Sequence, residues 1–300
     1  MPSLKVIRTR IASVKSTQKI TTAMKMVAGA RLNRAQQRIV ALRPYAVKTG
    51  EILQSVAATT AQADADGSAS DSSAMHPLLA RRPEKAVLIV LFTGDRGLCG
   101  AFNTNVIKAA DRHWRELVSQ GKTVQFLTIG RKGKEFVARR GGDNLRDFPK
   151  HYDNLDLGKA REVATFLVAR YQKKEIDAVY FVYNEFKSAI SQRVTLDRHL
   201  PLPDAAPAAE GGLSPEFLFE PNRTALLSQL VPMYVEITLY RAMLETLAGF
   251  FGAQMTAMDA ATRNAKDMIG RLTLAYNRAR QAAITKELME IIGGAEALKE

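Results

Sequence analysis

Residues 7–36 read IRTRIASVKSTQKITTAMKMVAGARLNRAQ, and this stretch sets the plan of the chain. Alternate steps of four and three from Ile7 land on Ile11, Val14, Gln18, Thr21, Lys25, Ala28, Leu32 and Ala35. The phase continues through Ile39, Leu42, Ala46, Thr49, Leu53 and Val56, so eleven of the fifteen seam positions are apolar. An apolar seam every 3.5 residues marks a helix that winds against a partner helix. The phase passes Pro44 unbroken, which predicts a kinked helix rather than an interrupted one. About 55 residues of helix would span roughly 80 Å, longer than a small domain is wide. The seam weakens at Gln18, Thr21 and Lys25, while Ile20, Met24 and Val27 make a neighbouring apolar face. An apolar face off the seam calls for a second partner.

The same segment is almost purely basic. Residues 1–58 hold eleven Lys or Arg and a single acid, Glu51, which gives +10 of the chain's formal +13. Such a surface implies acidic partners: nucleic acid, anionic lipid or an acidic protein face. The single cysteine, Cys99, excludes an internal disulfide and a cysteine-based metal site. No apolar run reaches the roughly 18 residues that cross a bilayer, and the N-terminus lacks a secretory apolar core.

Outward from the first helix, Gln62 to Ser73 is an Ala, Asp, Ser and Gly tract of solvated composition. Strands and helices then alternate. Ala86 to Thr93 is an apolar run of buried-strand type, followed by a Gly-rich turn and a helix from Asn103 to Ser119. Thr123 to Ile129 reads as a strand, and Arg131 to Arg140 as a short helix closed by Gly141-Gly142. Leu157 to Lys174 is helical, Ala178 to Tyr183 is a strand, and Ala189 to Leu196 is placed to pair with it. This alternation implies a small, mostly parallel sheet. From Asn222 the helical period returns almost to the C-terminus, through Pro232.

The expected fold is therefore α/β plus a long coiled coil: N- and C-terminal helices paired antiparallel around a central Rossmann-like domain. The expected segments are a helix over 1–58, a linker over 59–85, the α/β domain over 86–200, a linker and foot over 201–221, and the second helix over 222–298.

Three patterns invite a chemical reading. The turn Thr93-Gly94-Asp95-Arg96-Gly97-Leu98-Cys99-Gly100 lies where phosphate loops sit. Its G-x-x-G-x-x-G spacing matches neither the dinucleotide fingerprint nor the P-loop. Gly94, Gly97, Cys99 and Gly100 are therefore read as a structural turn. Cys99 at a helix start has the position of an activated thiol, but His76, His113, His151 and His199 show no arrangement with it and no metal-ligand spacing. The basic first helix suits phosphate neutralisation, a solvated coiled-coil face, or a shaft against acidic protein loops, and composition does not choose among these. Finally, Leu272 to Ile292 combines Asn277, Arg280, Gln281 and Thr285 with the small residues Ala279, Ala282 and Ala283. A thin helix of this kind suits a confined protein channel.

The chain resembles the γ-subunit family of F-type ATP synthases over essentially its whole length. The resemblance rests on residues 7–36, on Asp95 to Gly100 (DRGLCG) with Asn103, on Phe219-Glu220-Pro221, and on Tyr276 to Gly293 (YNRARQAAITKELMEIIG). It implies a rotor: an antiparallel coiled coil inside a ring of three α and three β subunits, with the α/β domain contacting the ε subunit and the c-ring. It implies a subunit without catalytic residues, cofactor or nucleic-acid partner, on the cytoplasmic side of a bacterial inner membrane. Matched position by position, it assigns β-subunit contacts to Lys25, Met26, Gln254, Arg280, Gln281, Thr285, Glu287 and Glu290. It assigns contacts with the c-ring and ε to Phe217, Phe219 and Glu220. Three positions depart from the family pattern: Gln254 replaces an Arg, Phe250-Phe251-Gly252 replaces a Ser-Glu pair, and Thr22 replaces a Lys. The dithiol insertion of chloroplast members is absent.

Overall fold

The computed structural model describes residues 4–65, 77–78, 82–202 and 223–297. Two long helices, α1 (Leu4–Ala65) and α5 (Arg223–Ala297), enclose five strands and three shorter helices in sequence. The chain divides into two compact units, Met1–Gly29 with Gln254–Glu300, and Ala30–Ala253.

In the first unit the early part of α1 packs on the late part of α5. Thr21 meets Thr262, Lys25 meets Asp259, and Gly29 faces the Met255 sulfur. One residue number rises as the other falls, so the helices run antiparallel. The seam positions Ile7, Thr21 and Ala28 are buried, whereas Ile20 and Val27 on the neighbouring face are more than half exposed.

The second unit is built on a five-stranded sheet, β3-β2-β1-β4-β5. Its strands are β1 (Ala86–Phe92), β2 (Thr123–Ile129), β3 (Asp143–Phe148), β4 (Ala178–Phe186) and β5 (Gln192–Leu200). The first four are parallel, and β5 pairs antiparallel with β4. β1 is central and apolar on both faces because both faces are covered. Val87, Ile89 and Leu91 point toward α2 (Phe102–Ser119) and α3 (Arg131–Arg140), against Val106, Ala110 and Val137. Leu88, Val90 and Phe92 join the opposite cluster, with Val163 and Leu167 of α4 (Leu157–Gln172) and Val231, Val235 and Leu239 of α5. Ile39, Leu42 and Ile52 of α1 pack on that second cluster.

Several details differ from the sequence expectation. α1 continues through Pro44 and runs to Ala65, past position 58, along an alanine-rich tract of high helix propensity. β3 is an unforeseen strand. As an edge strand it needs only backbone pairing, and its sequence DNLRDF carries no apolar run. β5 begins at Gln192 rather than Ala189 because Ser188 and Ser191 close a tight turn, with Ser188 N donating to Ser191 O at 3.0 Å. That leaves Ile190 exposed at its tip. Gly141 closes α3 in the left-handed conformation, φ 68°, as its position after Arg140 predicts.

Candidate functional site: a closed turn and an unmated helix end

In a sheet of this order, ligands ordinarily enter beyond the strand C-termini at the switch between β1 and β4. Here that crevice holds the chain's own α5. Phe250 packs edge-to-face on Phe102 at 5.9 Å between ring centroids and shares a buried cluster with Cys99. Glycines permit the approach. A Cβ on Gly249 would stand 3.0 Å from the Phe102 ring, and one on Gly252 would stand 3.1 Å from the Ala189 carbonyl oxygen. The departure Phe250-Phe251-Gly252, noted in the sequence, is therefore the segment that seats α5 on the sheet.

The turn from Thr93 to Gly100 uses its polar groups internally. Gly94 N–H donates to Asn103 Oδ1 at 2.8 Å, and Asn103 Nδ2 donates to the Arg96 carbonyl at 3.2 Å and toward Cys99 Sγ at 3.3 Å. Thr93 N–H donates to the Ile129 carbonyl, and Thr93 Oγ1 accepts from Gly133 N–H. The Asp95 carboxylate accepts the Arg131 and Lys150 amides, so it caps α3 where a phosphate would otherwise sit. Gly100 has φ 57°, a left-handed value suited to glycine, and Gly97 has open space beside it. Cys99 is buried, and loss of hydration pushes its thiol above the ordinary range, the opposite of an activated nucleophile. These contacts suit a structural turn. No group of three or more His, Cys, Asp or Glu among the described residues is spaced to hold a metal ion.

The sequence-expected contact residues fall into three groups. Lys25 makes a 2.6 Å ion pair with Asp259, and Met26 beside it is exposed. The polar break in the seam is thus met inside the coil. Thr262 Oγ1 lies 2.8 Å from Thr21 Oγ1, and Thr21 is buried rather than presented to a partner. Sequence reading missed Asp259 and Thr262, which only the antiparallel register identifies. Gln254 is half-buried. The second group is Arg280, Gln281, Thr285, Glu287 and Glu290, all exposed near the end of α5. Thr285 Oγ1 donates to the Gln281 carbonyl at 3.0 Å, and Glu290 pairs loosely with Lys286 at 3.4 Å. Phe217, Phe219 and Glu220 lie outside the described residues.

Extending the register of the first unit places Leu4 roughly opposite Arg280. Beyond that point α5 has no mate among the described residues. Its last turns expose Ile284, Leu288, Met289, Ile291 and Ile292. A run of exposed large apolar side chains on one helix is the mark of a surface made for contact.

The fold and these surfaces define a class: an antiparallel helical pair with an exposed helix end, continuous in sequence with an α/β domain whose crevice is filled by its own helix. A family model described as ATP synthase matches residues 3–298. The ATP synthase gamma chain of Sorangium cellulosum is 54% identical, with the whole of both chains covered. That of Geotalea uraniireducens is 46% identical, again over both whole chains. The chain belongs to the ATP synthase γ-chain family. Two solved structures share its fold. The Euglena gracilis mitochondrial ATP synthase rotor has a TM-score of 0.63 at 17% identity, covering 94% of this chain and 98% of that one. A central-stalk chain of the Tetrahymena thermophila mitochondrial ATP synthase has a TM-score of 0.60 at 22% identity, covering 81% and 99%.

Proposed function

We propose that the chain is the central rotor shaft of an F-type ATP synthase. It transmits c-ring rotation to the catalytic sites of the surrounding three α and three β subunits and carries no catalysis itself. One asymmetric part contacting three equivalent sites biases each toward a different nucleotide state in turn. In the same way it regulates ATP hydrolysis and proton flow. The observation that carries this reading is the end of α5, which has no mate among the described residues and exposes Ile284, Leu288, Met289, Ile291 and Ile292.

On this reading Arg280, Gln281, Thr285, Glu287 and Glu290 face the β-subunit loops from the tip. Lys25, Met26 and Gln254 do so from the coil below. Phe217, Phe219 and Glu220 belong to a foot over 201–221 that meets the c-ring and ε. Helix α1, which runs to Ala65 rather than to position 58, and helix α5 act as shaft, residues 86–200 act as docking domain, and the stretch between Ala65 and position 86 acts as linker. No described helix is long and apolar enough to cross a membrane. The proposed location is peripheral, on the cytoplasmic side of the inner membrane, held there by the complex.

The test is a complex reconstituted into vesicles with a chain ending at Asn277. ATP-driven proton pumping per ATP hydrolysed is expected to fall well below that of the full-length chain. Unchanged pumping, or failure of the full chain to assemble with α and β subunits, would sink the proposal. A basic coiled coil that binds nucleic acid is the rival from another class. It requires a steep loss of DNA affinity with salt, measurable on the isolated chain.

A further inference from the structure

A cavity of about 550 Å³ opens in the second unit beside the Phe250 plug. Three of its cations come from one face of α1: Arg31, Arg34 and Arg38, spaced by three and four residues. Arg96 joins them from the turn. Among the described residues none of these four guanidinium groups takes part in an ion pair. Arg38 donates to the Leu155 carbonyl at 2.9 Å, which fixes its direction, and Arg31 lies over the Phe251 ring at 5.7 Å from its centroid. Like charges at these helical spacings repel one another, so the arrangement is unfavourable until something anionic occupies it.

Two acids also line the cavity, Asp95 and Asp153. Asp95 is committed to the Arg131 and Lys150 amides, and Asp153 is exposed. Two hydroxyls complete the wall. Thr246 is buried within α5, and Tyr152 lies close to it. Both oxygens are shielded from solvent, and the Thr246 hydroxyl lies close enough to Tyr152 to bear on its ionisation. The remaining wall is apolar, formed by Leu247, Phe250 and Phe251.

We propose that this cavity binds the phosphate group of a small phosphorylated molecule. Arg31, Arg34 and Arg96 neutralise the phosphate and donate to its oxygens, and the apolar wall takes the rest of the ligand. Guanidinium forks match phosphate oxygens in geometry as well as charge. The volume lies in the small-molecule range and is too small for a partner helix.

The test is calorimetry on the full-length chain at low salt with three probes: inorganic phosphate, ADP and poly-glutamate. Saturable, salt-sensitive binding of phosphate or ADP is expected. Equal affinities would mean that the phosphate alone is read, and tighter ADP binding would mean that the apolar wall contributes. Arg34→Gln and Arg96→Gln should each weaken binding about tenfold. Lys173→Gln, an equal charge change at an exposed site elsewhere, should leave it unchanged. Binding that Lys173→Gln weakens as much as the arginine variants do would reduce the effect to net charge and overturn the proposal. So would binding that the arginine variants do not alter, no saturable binding of phosphate or ADP, or binding of poly-glutamate alone. The last outcome would assign the cavity to an acidic protein segment.

Discussion

The ring of Phe250 stands 2.8 Å from the point where a Cβ on Gly94 would sit. The β1 turn and α5 are therefore fitted to each other at one spot, and glycine at 94 is a packing requirement. Gly94→Ala should lower stability by about 1–3 kcal/mol through overpacking, and Phe250→Ala by about 3 kcal/mol through the cavity it leaves. Chemical denaturation of the isolated chain checks both. A Gly94→Ala chain as stable as the parent would show that the plug is not tightly seated.

Gly130 presents a harder limit. Its φ is 100°, and a Cβ there would collide with the Thr93 carbonyl oxygen. Both the conformation and the space exclude a side chain. Gly130→Ala should cost more than Gly94→Ala, seen as loss of soluble folded protein or a lower denaturation midpoint.

The Thr21–Thr262 contact is a polar layer inside a mostly apolar seam. Thr262 Oγ1 also lies 2.8 Å from the Met258 carbonyl, so removing Thr21 leaves it with a partner. Thr21→Val is expected to cost about 0.5–1.5 kcal/mol. The double variant Thr21→Val with Thr262→Val should cost less than the sum of the two singles. A double-mutant cycle on the coil's unfolding measures the coupling.

His199 supplies a pH dependence. It is buried, stacks on Phe181 at 4.0 Å between centroids, and lies 3.1 Å from Thr238 Oγ1. Burial lowers its pKa from 6.5 to about 3. The folded chain therefore binds fewer protons than the unfolded chain between those values. The neutral ring's contribution is fully present above pH 6.5 and is lost progressively as pH falls toward 3. The slope is about 1.4 kcal/mol per pH unit for one proton. A His199→Phe variant should show a shallower loss of unfolding midpoint across this window. An unchanged slope would place the acid sensitivity elsewhere.

The exposed end of α5 separates stability from function. Arg280→Ala and Glu287→Ala should change the isolated chain's stability by less than about 0.5 kcal/mol, because neither side chain is buried. Each is expected to weaken assembly with α and β subunits or coupling in the reconstituted complex. Normal assembly and coupling would remove these two residues from the proposed contact.

Much of this was legible in the sequence because it is written in local periodicity. The heptad phase from Ile7, the apolar run Ala86 to Thr93 and the helix-closing Gly141 each depend on neighbours within a few residues. The structure keeps them near where the pattern puts them. β3 escaped notice for the complementary reason. An edge strand is held by backbone hydrogen bonds, which leave no mark in the residues Asp143 to Phe148. The contact residues proposed on α5 come from resemblance, since an exposed polar helix end looks alike whether or not it has a partner.

The sequence by itself determined that two long helices flank an α/β domain, that they have a seam, and that the first is basic. Tertiary structure alone decided three things. It set the antiparallel register that joins Lys25 to Asp259 and Thr21 to Thr262, residues more than two hundred positions apart. It seated Phe250 in the crevice where a ligand would enter. It gathered Arg31, Arg34, Arg38 and Arg96 around one cavity. Periodicity fixes which face of an element is buried, but what that face is buried against depends on contacts between distant segments, which local sequence does not encode.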